Sequence, residues 1–487
     1  MEWIKKNQYR FSFLLGIILS VGFYFINPFG LQDGAAKAVA VALLMVVWWI
    51  TEALPLPAVA LIPLVLHPLL HIGTIEETTK SYSNPVIFLF LGGFMIGLAI
   101  EKWNLHKRIA MQIVKRTGTS GNRIILGFII ATAFISMWLS NTATTMMMFP
   151  IALSVIAVMK GHEQSGTKMR NFSLVLMLVI AYASNIGGMA TIIGTPPNAA
   201  FVGIIEKKYG YTIQFVDWMI VCVPLVVCLL AALYFVLVKW LYPSRIKNSK
   251  EINSFINSEV KSLGKLSVAE KRVLVIFSVT ALLWITKDFI NQLHWFKLDD
   301  NMIAIFGALA LFATPSGVLM GDRKPMILEW EDTSKMAWGI LLLFGGGLAM
   351  AGSLEKAGVM SLIGNWLAGF SGNSGFILVL MTVVISIFLS ELTSNVAQVI
   401  VMAPVLAAMA DALHIDPLTL GIPMTLAASA AAMMPMGTPP NAIVFSSGHI
   451  RLKEMIKAGF VMNIVSIIII TLFSWFVLPV VMHVIGN

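Results

Sequence analysis

The hexapeptide Gly-Thr-Pro-Pro-Asn-Ala occurs at residues 194–199 and recurs at residues 437–442, a shift of 243 residues. Upstream of it, eleven positions pair at a constant shift of 254 residues. The pairs keep polar and proline positions in register, among them Ser136 with Ser390, Ser140 with Ser394, Asn141 with Asn395 and Pro150 with Pro404. Chance similarity between apolar helices would not align such positions. The chain therefore contains an internal duplication.

The composition places the duplicated unit in a lipid bilayer. Hydrophobic residues make up 58% of the 487 residues, charged residues 12%, and the mean hydropathy is +0.86. We predict an all-α polytopic membrane protein with about eleven transmembrane helices plus two re-entrant hairpins, in two inverted-topology repeats. The predicted spans lie near residues 11–27, 36–54, 55–72, 84–101, 173–205, 217–241, 271–290, 301–314, 336–354, 417–447 and 458–484.

The two hairpins are predicted from apolar segments that polar residues interrupt. Segments 124–158 and 376–410 carry Ser-Asn pairs at their middles, and irregular backbone at membrane depth is tolerated where it is buried or lines a wet cavity. Ser and Asn are N-caps, so each pair is expected to open a returning half-helix. In Gly-Thr-Pro-Pro-Asn, the Gly suits the end of one half-helix, the Thr an N-cap and the Pro the first turn of the next.

Loop charge distinguishes the two copies, because basic residues near span ends collect on the cytoplasmic side. Residues 102–123 carry six Lys and Arg, whereas the matching 356–377 carry Lys356 alone. Residues 160–170 carry three, whereas the matching 411–416 carry none. The copies are therefore predicted to face opposite sides, with the N-terminus cytoplasmic and the C-terminus extracellular in the cell membrane. The same distribution accounts for the net charge of +9 without a nucleic-acid partner.

The predicted domain organisation follows from the repeats. An N-terminal helix (1–35) lies outside them, a first repeat covers 36–241, a cytoplasmic linker covers 242–270, and a second repeat covers 271–487. In the first repeat we predict scaffold helices to about residue 118, an inner hairpin 121–158, a broken helix 173–205 and a helix 217–241. In the second we predict scaffold helices to about residue 372, an outer hairpin 375–411, a broken helix 417–447 and a helix 458–484.

The polar breaks suit an anion and small cations. Half-helix N-termini offer free N–H groups to an anion, and half-helix C-termini offer carbonyl oxygens to a cation such as sodium. The amides of Asn141 and Asn395, with the hydroxyls of Thr142, Thr195 and Thr438, can hydrogen-bond a carboxylate without Arg or Lys. A site without permanent positive charge needs bound cations to neutralise a dianion. That need is a physical route to coupled transport.

The motifs resemble those of the divalent anion/sodium symporter (DASS) family, which includes sodium-coupled dicarboxylate carriers. The resemblance covers nearly the whole chain and rests on the sequence from Trp48 to Pro57, on Phe-Leu-Gly-Gly-Phe at 90–94, on Glu-Lys-Trp-Asn-Leu-His at 101–106, and on both Ser-Asn and both Gly-Thr-Pro-Pro-Asn motifs. It implies a homodimer in the lipid bilayer, in which a scaffold domain holds the dimer interface and a transport domain with both hairpins moves as an elevator.

The resemblance also implies the site residues, position by position. It implies a first sodium site at Ser136, Ser140, Asn141 and Gly194, and a second at Ser390, Thr393, Asn395 and Gly437. Substrate carboxylates would meet Asn141, Thr142, Thr195, Asn395, Thr438 and Pro439. Val396 also lines this site, at the position where the family pattern has a Thr. The missing hydroxyl leaves succinate-like, malate-like and citrate-like substrates open.

We expect sodium-coupled symport of a C4 dicarboxylate such as succinate, fumarate or malate. The alternatives are a sodium-independent dicarboxylate exchanger, citrate or sulfate as the substrate, and an anion channel. An enzyme is disfavoured, because the sequence contains no H-E-x-x-H pattern and no G-x-x-x-x-G-K-[ST] loop. Glu391 has Met137 as its counterpart in the first repeat. It is expected either to strengthen a cation site or to face an aqueous vestibule.

Overall fold

The fold is helical throughout the residues that the computed structural model describes, which are 2–118, 120–160, 166–244, 246, 250–294, 297–319, 324–370 and 375–485. Up to the linker, the helices are α1 (Glu2–Ile26), α2 (Asp33–Thr51), α3 (Leu56–Val59), α4 (Ile62–Leu69), α5 (Ile75–Lys80), α6 (Pro85–Lys102), α7 (Leu105–Thr117), α8 (Gly121–Ser136), α9 (Asn141–Lys160), α10 (Thr167–Gly188), α11 (Pro196–Tyr209) and α12 (Phe215–Tyr234), which a π-helical segment, Phe235–Leu241, continues.

From the linker onward, the helices are α13 (Lys250–Ser262), α14 (Val268–Gln292), α15 (Asp300–Ala313), α16 (Trp338–Lys356), α17 (Val359–Phe370), α18 (Gly375–Ser390), α19 (Asn395–Leu413), α20 (Leu418–Ala428), α21 (Pro439–Phe445), α22 (Leu452–Phe476) and α23 (Leu478–Ile485). Short 3-10 turns at Ser81–Ser83 and Trp330–Lys335 precede α6 and α16.

The all-α membrane fold is confirmed. Within the described ranges, nine helices are long and apolar enough to cross a bilayer. The count of about eleven spans and the re-entrant course of the hairpins stay predictions. Over the predicted span 55–72, the chain forms two short helices, α3 and α4, rather than one continuous helix. Pro57, Pro63 and Pro68 lie in this stretch, and proline removes a backbone donor and clashes with the preceding turn.

Both polar interruptions coincide with breaks between helices. Residues 137–140 separate α8 from α9, and residues 391–394 separate α18 from α19. The Ser140 hydroxyl accepts from the backbone N–H of Ala143 at 3.3 Å and so caps α9. Ser394 precedes α19 without such a side-chain bond. The two breaks therefore share a position but differ in capping.

The Gly-Thr-Pro-Pro-Asn motifs begin new helices. Thr195 and Thr438 are the N-cap residues of α11 and α21, with proline in the first turn of each. The expectation that Gly194 and Gly437 end the preceding half-helices is wrong, because α10 already ends at Gly188 and α20 at Ala428. In the first repeat, the amide of Asn198 donates to the carbonyl oxygens of Gly188, Met189 and Thr191 and holds this longer turn.

The second half of each broken helix packs against the other repeat. Helix α11 of the first repeat contacts α19 and α20 of the second, and α21 of the second contacts α9 and α10 of the first. The two repeats thus exchange half-helices at the motif breaks. Helix α11, which begins after Thr195, thus lies against α19 and α20, and Thr438 bonds to Asn185 of α10.

Equivalent residues of the two repeats meet at a common centre. The rings of Phe90 and Phe344, which are equivalent at the 254-residue shift, contact each other edge to face at 5.3 Å. The salt bridges at the ends of α6 and α16 are reciprocal, since Lys102 pairs with Asp332 at 2.5 Å and Lys356 pairs with Glu77 at 2.8 Å. Such reciprocity is expected where two copies of one unit pack about a pseudo-twofold axis.

The linker is fastened to the first repeat by a buried arginine. Arg108 on α7 bonds the Glu270 carboxylate at 2.7 Å and also donates to the carbonyl oxygens of Leu263 and Gly264. Helix α13 of the linker packs against α7 and α9. The linker is therefore held against the first repeat.

Candidate substrate and cation site

The first candidate cation site is built around the start of α9. The Ser136 hydroxyl donates to Asn141 Oδ1 at 2.8 Å and lies 2.8 Å from the carbonyl oxygen of Ser184. Gly188 lies against the Asn141 amide and leaves no room for a Cβ between them. Ser136 is fully buried, whereas Asn141 is half-buried. The end of α8, the start of α9 and the end of α10 thus converge on one asparagine.

Backbone carbonyl oxygens converge on Gly194. A Cβ added at this glycine would lie 2.5 Å from the oxygen of Gly188 and 3.0 Å from the oxygen of Ser136. Together with Asn141 Oδ1, these atoms form a group of neutral oxygens of the kind that small hard cations prefer. Of the four predicted ligands of the first sodium site, the structure brings Ser136, Asn141 and Gly194 together, and Ser140 caps α9 next to them.

The second candidate cation site repeats the core of the first. The Ser390 hydroxyl donates to Asn395 Oδ1 at 2.6 Å and lies 2.5 Å from the carbonyl oxygen of Ala428. The Thr393 hydroxyl instead donates to the carbonyl oxygen of Leu389 at 3.0 Å. A Cβ added at Gly437 would lie 3.1 Å from Oε2 of Glu391 and 3.3 Å from the backbone oxygen of Met434, so a carboxylate takes the place of one of the two carbonyl oxygens around Gly194. The Ser-to-Asn bond is common to both repeats, but its surroundings differ.

Glu391 is buried, and the aqueous-vestibule interpretation is wrong. Its side chain is 4% exposed. The carboxylate accepts from the backbone N–H groups of Ala432 and Met433 at 2.8 Å and of Met434 at 2.9 Å, and from Asn463 Nδ2 at 2.7 Å. It therefore satisfies the backbone donors that become free where α20 ends, as the energetics of buried polar groups require. Its carboxylate also lies within reach of Gly437.

A side-chain relay connects the two repeats at the site. Asn141 Nδ2 lies 3.5 Å from Asn185 Oδ1, and Asn185 Nδ2 donates to Thr438 Oγ1 at 3.0 Å. Thr438 Oγ1 also accepts from the backbone N–H of Asn441 at 3.3 Å. Asn185 and Thr438 are almost fully buried. The relay runs from Asn141 at the start of α9 to Thr438 at the start of α21, the half-helix that the second repeat contributes.

The remaining predicted substrate residues differ in exposure. Thr142, Asn395 and Val396 are half-buried, at the first turns of α9 and α19. Thr195 is buried and makes no capping bond with its side chain. Pro439 is exposed at the start of α21. These side chains offer neutral donors and apolar surface next to a pair of candidate cation sites.

Sequence reasoning missed Asn185. It lies in the apolar run that predicts the broken helix, three residues before Gly188, and shares no motif with the second repeat. The available signal was weak: an amide in a span that is otherwise apolar is costly unless it has partners. The partners come from α9 and α21, which no local pattern identifies.

The fold and this site define an integral membrane transporter. A model of the sodium:sulfate symporter transmembrane region matches residues 5–483, and the chain belongs to this family. The prediction of a transporter rather than an enzyme is confirmed by the family, and so is the resemblance recognised in the motifs.

Characterised relatives are similar over nearly their whole length. The sodium-dependent dicarboxylate transporter SdcS of Staphylococcus saprophyticus is 38% identical over 492 residues, which cover 99% of this chain and 94% of the relative. The protein of the same name from Staphylococcus aureus is 38% identical over 497 residues, with the same coverage.

Two solved structures share the fold at 12% sequence identity. The YdaH transporter of Alcanivorax borkumensis matches with a TM-score of 0.55 over 89% of this chain and 98% of its own. MtrF of Neisseria gonorrhoeae matches with a TM-score of 0.56 over 96% of this chain and 94% of its own. At this identity, the likeness concerns the fold alone.

Proposed function

We propose that this chain is a secondary active transporter that carries a C4 dicarboxylate such as succinate, fumarate or malate together with sodium ions. The observation that carries the proposal is the recurring Ser-to-Asn hydrogen bond at two helix breaks, each beside a backbone carbonyl oxygen. Relatives 38% identical to the chain are named sodium-dependent dicarboxylate transporters. Ser136, Ser140, Asn141 and Gly194 contribute to one sodium site, and Ser390, Thr393, Asn395 and Gly437 to the other.

The electrostatics of the proposed site favour coupling. Its predicted substrate ligands, Asn141, Thr142, Thr195, Asn395 and Thr438, carry no positive charge. A dianion that enters an inside-negative cell works against about 2.3 kcal/mol per charge at 100 mV, or about 4.6 kcal/mol. Two sodium ions would cancel this cost, and three would make the membrane potential favour uptake. Bound sodium also supplies the positive charge that the side chains lack.

Transport is proposed to proceed by an elevator motion of the site-bearing helices, α8 to α11 and α18 to α21, in a homodimer. The exchange of α11 and α21 between the repeats supports motion of these helices as one unit. The N-terminus is proposed to be cytoplasmic and the C-terminus extracellular, because the basic residues of 102–123 exceed those of 356–377.

Reconstituted protein tests the function directly. We expect radiolabelled succinate to enter proteoliposomes under an inward sodium gradient and not under an equal potassium gradient. Uptake that is independent of sodium and requires internal dicarboxylate would establish the exchanger instead. Unlabelled malate, citrate and sulfate as competitors then rank the anions, and stronger competition by sulfate or citrate would replace the C4 assignment. Large unitary currents would indicate a channel.

Two substitutions test the placement of the site. Asn141→Ala and Asn395→Ala are each expected to abolish uptake, because each removes a proposed ligand of both sodium and substrate. Asn171→Ala is the matched control, since Asn171 lies at the far end of α10 and donates a single peripheral bond to Pro243. Near-normal uptake by either site variant would show that the site lies elsewhere.

A further inference from the structure

Asn185 bonds to the residues at one end of the proposed site, Asn141 and Thr438. A hydroxyl oxygen accepts up to two hydrogen bonds and donates one. The Thr438 hydroxyl already accepts from Asn185 Nδ2 at 3.0 Å and from the Asn441 backbone N–H at 3.3 Å. Its proton is therefore left to donate to a third group. Since Asn185 contributes an N–H at this contact, it holds Thr438 as a donor, the role that an anion requires.

Asn185 also constrains Asn141 from the other side. Asn141 Oδ1 accepts from the Ser136 hydroxyl, and Asn141 Nδ2 points to Asn185 Oδ1 at 3.5 Å. With the oxygen turned to Ser136, the second N–H of the amide is free for another acceptor. One buried amide thus orients one donor from each repeat.

The equivalent position in the second repeat lacks this device. The carbonyl oxygen of Ala428 lies against Ser390 as that of Ser184 lies against Ser136, so the counterpart of Asn185 is Ser429. The Ser429 hydroxyl is buried and makes no hydrogen bond within the described part of the chain. Thr195, the counterpart of Thr438, makes no capping bond. The hydroxyl of Thr195 therefore lacks the two bonds that orient Thr438.

We propose that Asn185 is a positioning residue that preorganises the Asn141 and Thr438 end of the site for one carboxylate of the substrate, while the Asn395 and Thr195 end adapts to the other. This inference rests on the proposed function. A preorganised donor pair loses little conformational entropy on binding, so it binds the first carboxylate more tightly than an unconstrained pair would. Substrates that differ at the second carboxylate end are accommodated at the adaptable end.

Two substitutions at Asn185 are expected to weaken succinate binding to different degrees. Asn185→Ala frees Thr438 and Asn141 to rotate, and we expect the succinate dissociation constant to rise about tenfold. Asn185→Asp keeps the shape but turns the donor into an acceptor, so the Thr438 proton would point to Asp and away from the substrate. Together with the added negative charge, this change is expected to weaken succinate binding about a hundredfold or more. Asn171→Ala is the control on the same helix.

A double-mutant cycle separates positioning from a general structural role. Succinate binding at saturating sodium is measured by succinate-induced thermal stabilisation in detergent, which does not require turnover. If Asn185 acts through Thr438, Asn185→Ala weakens binding about tenfold in the native chain but less than twofold in a Thr438→Ala background. Asn185→Ser, whose side chain is too short to reach Thr438, is expected to match Asn185→Ala and completes the cycle if the alanine variant does not fold.

Two results would overturn the positioning role. One is a lowered unfolding temperature with an unchanged succinate dissociation constant, and the other is an equal loss of affinity in the native, Thr438→Ala and Asn141→Ala backgrounds. Either result leaves the proposed function standing if the native chain still shows sodium-driven succinate uptake. Absence of that uptake, or normal binding by Thr438→Ala and Asn141→Ala, would instead refute the proposed function or its site.

Discussion

The two motif glycines should respond very differently to alanine, although they occupy equivalent places in the repeats. At Gly194, the added Cβ would lie 2.5 Å from the backbone oxygen of Gly188 and 3.0 Å from that of Ser136. At Gly437, the nearest atoms would be the carboxylate oxygen Oε2 of Glu391 at 3.1 Å and the backbone oxygen of Met434 at 3.3 Å. The turn at Gly194 must therefore move, whereas the neighbours of Gly437 need to give by only a few tenths of an ångström.

The expected magnitudes follow from these distances. Real Cβ atoms essentially never approach another heavy atom closer than about 3.0 Å, so the turn at Gly194 must shift by about half an ångström. Binding groups must be held to about 0.5 Å, and a displacement of about 1 Å can cost about a hundredfold. We therefore expect Gly194→Ala to raise the half-saturating sodium concentration at least tenfold. Gly437→Ala should raise it less than about threefold.

The assay is the initial rate of succinate uptake into proteoliposomes as a function of external sodium. Gly22→Ala is the control, because no atom lies within 4 Å of the added Cβ near the C-terminal end of α1. Unfolding temperatures in detergent show whether a variant is folded. Equal effects of Gly194→Ala and Gly437→Ala, or a larger effect of Gly437→Ala, would refute the reasoning from the carbonyl group around Gly194.

Three further predictions concern stability and orientation. Arg108→Ala leaves a buried carboxylate without its partner and should lower the free energy of unfolding by about 3–5 kcal/mol. Arg116→Ala, on the exposed side of α7, is the control and should have little effect. Equal unfolding temperatures of the two variants would contradict this prediction. Glu391→Gln replaces an acceptor oxygen by an NH2 group that faces backbone N–H donors. It should therefore lower the free energy of unfolding by about 1–3 kcal/mol, measured by thermal unfolding. An unchanged stability would exclude the capping role. Cysteines introduced at Lys115 and Lys356 in a cysteine-free background should react with an impermeant maleimide from opposite sides of the membrane; labelling from one side would refute the inverted repeats.

Sequence alone predicted those features that have local signals. Ser-Asn and Thr-Pro-Pro-Asn are helix-start signals, and the structure starts α9, α19, α11 and α21 at these motifs. The duplication was also visible, because polar and glycine residues repeat at one shift. The contact between Phe90 and Phe344 shows how closely the repeat register describes the packing.

Features that depend on distant partners could not be predicted. The end of α20 escaped prediction because the turn after it is held by Glu391, which comes from the break between α18 and α19. Asn185 was missed for the same reason, since its partners lie on α9 and α21. The exchange of half-helices likewise leaves no periodic signal, because one apolar helix face resembles another.

The room around individual glycines shows how tightly neighbouring helices pack. Gly421 on α20 lies directly against the Phe201 ring of α11 with no room for a Cβ, so the exchanged half-helix is locked into the site-bearing helices. On its other face, α11 is packed more loosely, since a Cβ at Gly203 would come no closer than 3.8 Å to Leu348 of α16. Interfaces that lack interdigitation resist sliding least. The packing against α16 is uneven, however, since a Cβ at Gly347 of α16 would lie 2.5 Å from the Ile400 side chain of α19.

The proposed motion of the site-bearing helices past α16 would break two hydrogen bonds of Lys207. Its ammonium group donates to the carbonyl oxygen of Leu348 at 2.6 Å and to the Ser81 hydroxyl at 2.8 Å, so it bridges α11 to the helices that the proposed transport domain would slide past. These bonds must break as the body moves, whereas the Asn185 to Thr438 bond lies within the body and persists. In the proposed elevator motion, the Lys207 contacts therefore add to the barrier, while the Asn185 to Thr438 contact holds the two repeats together at the site.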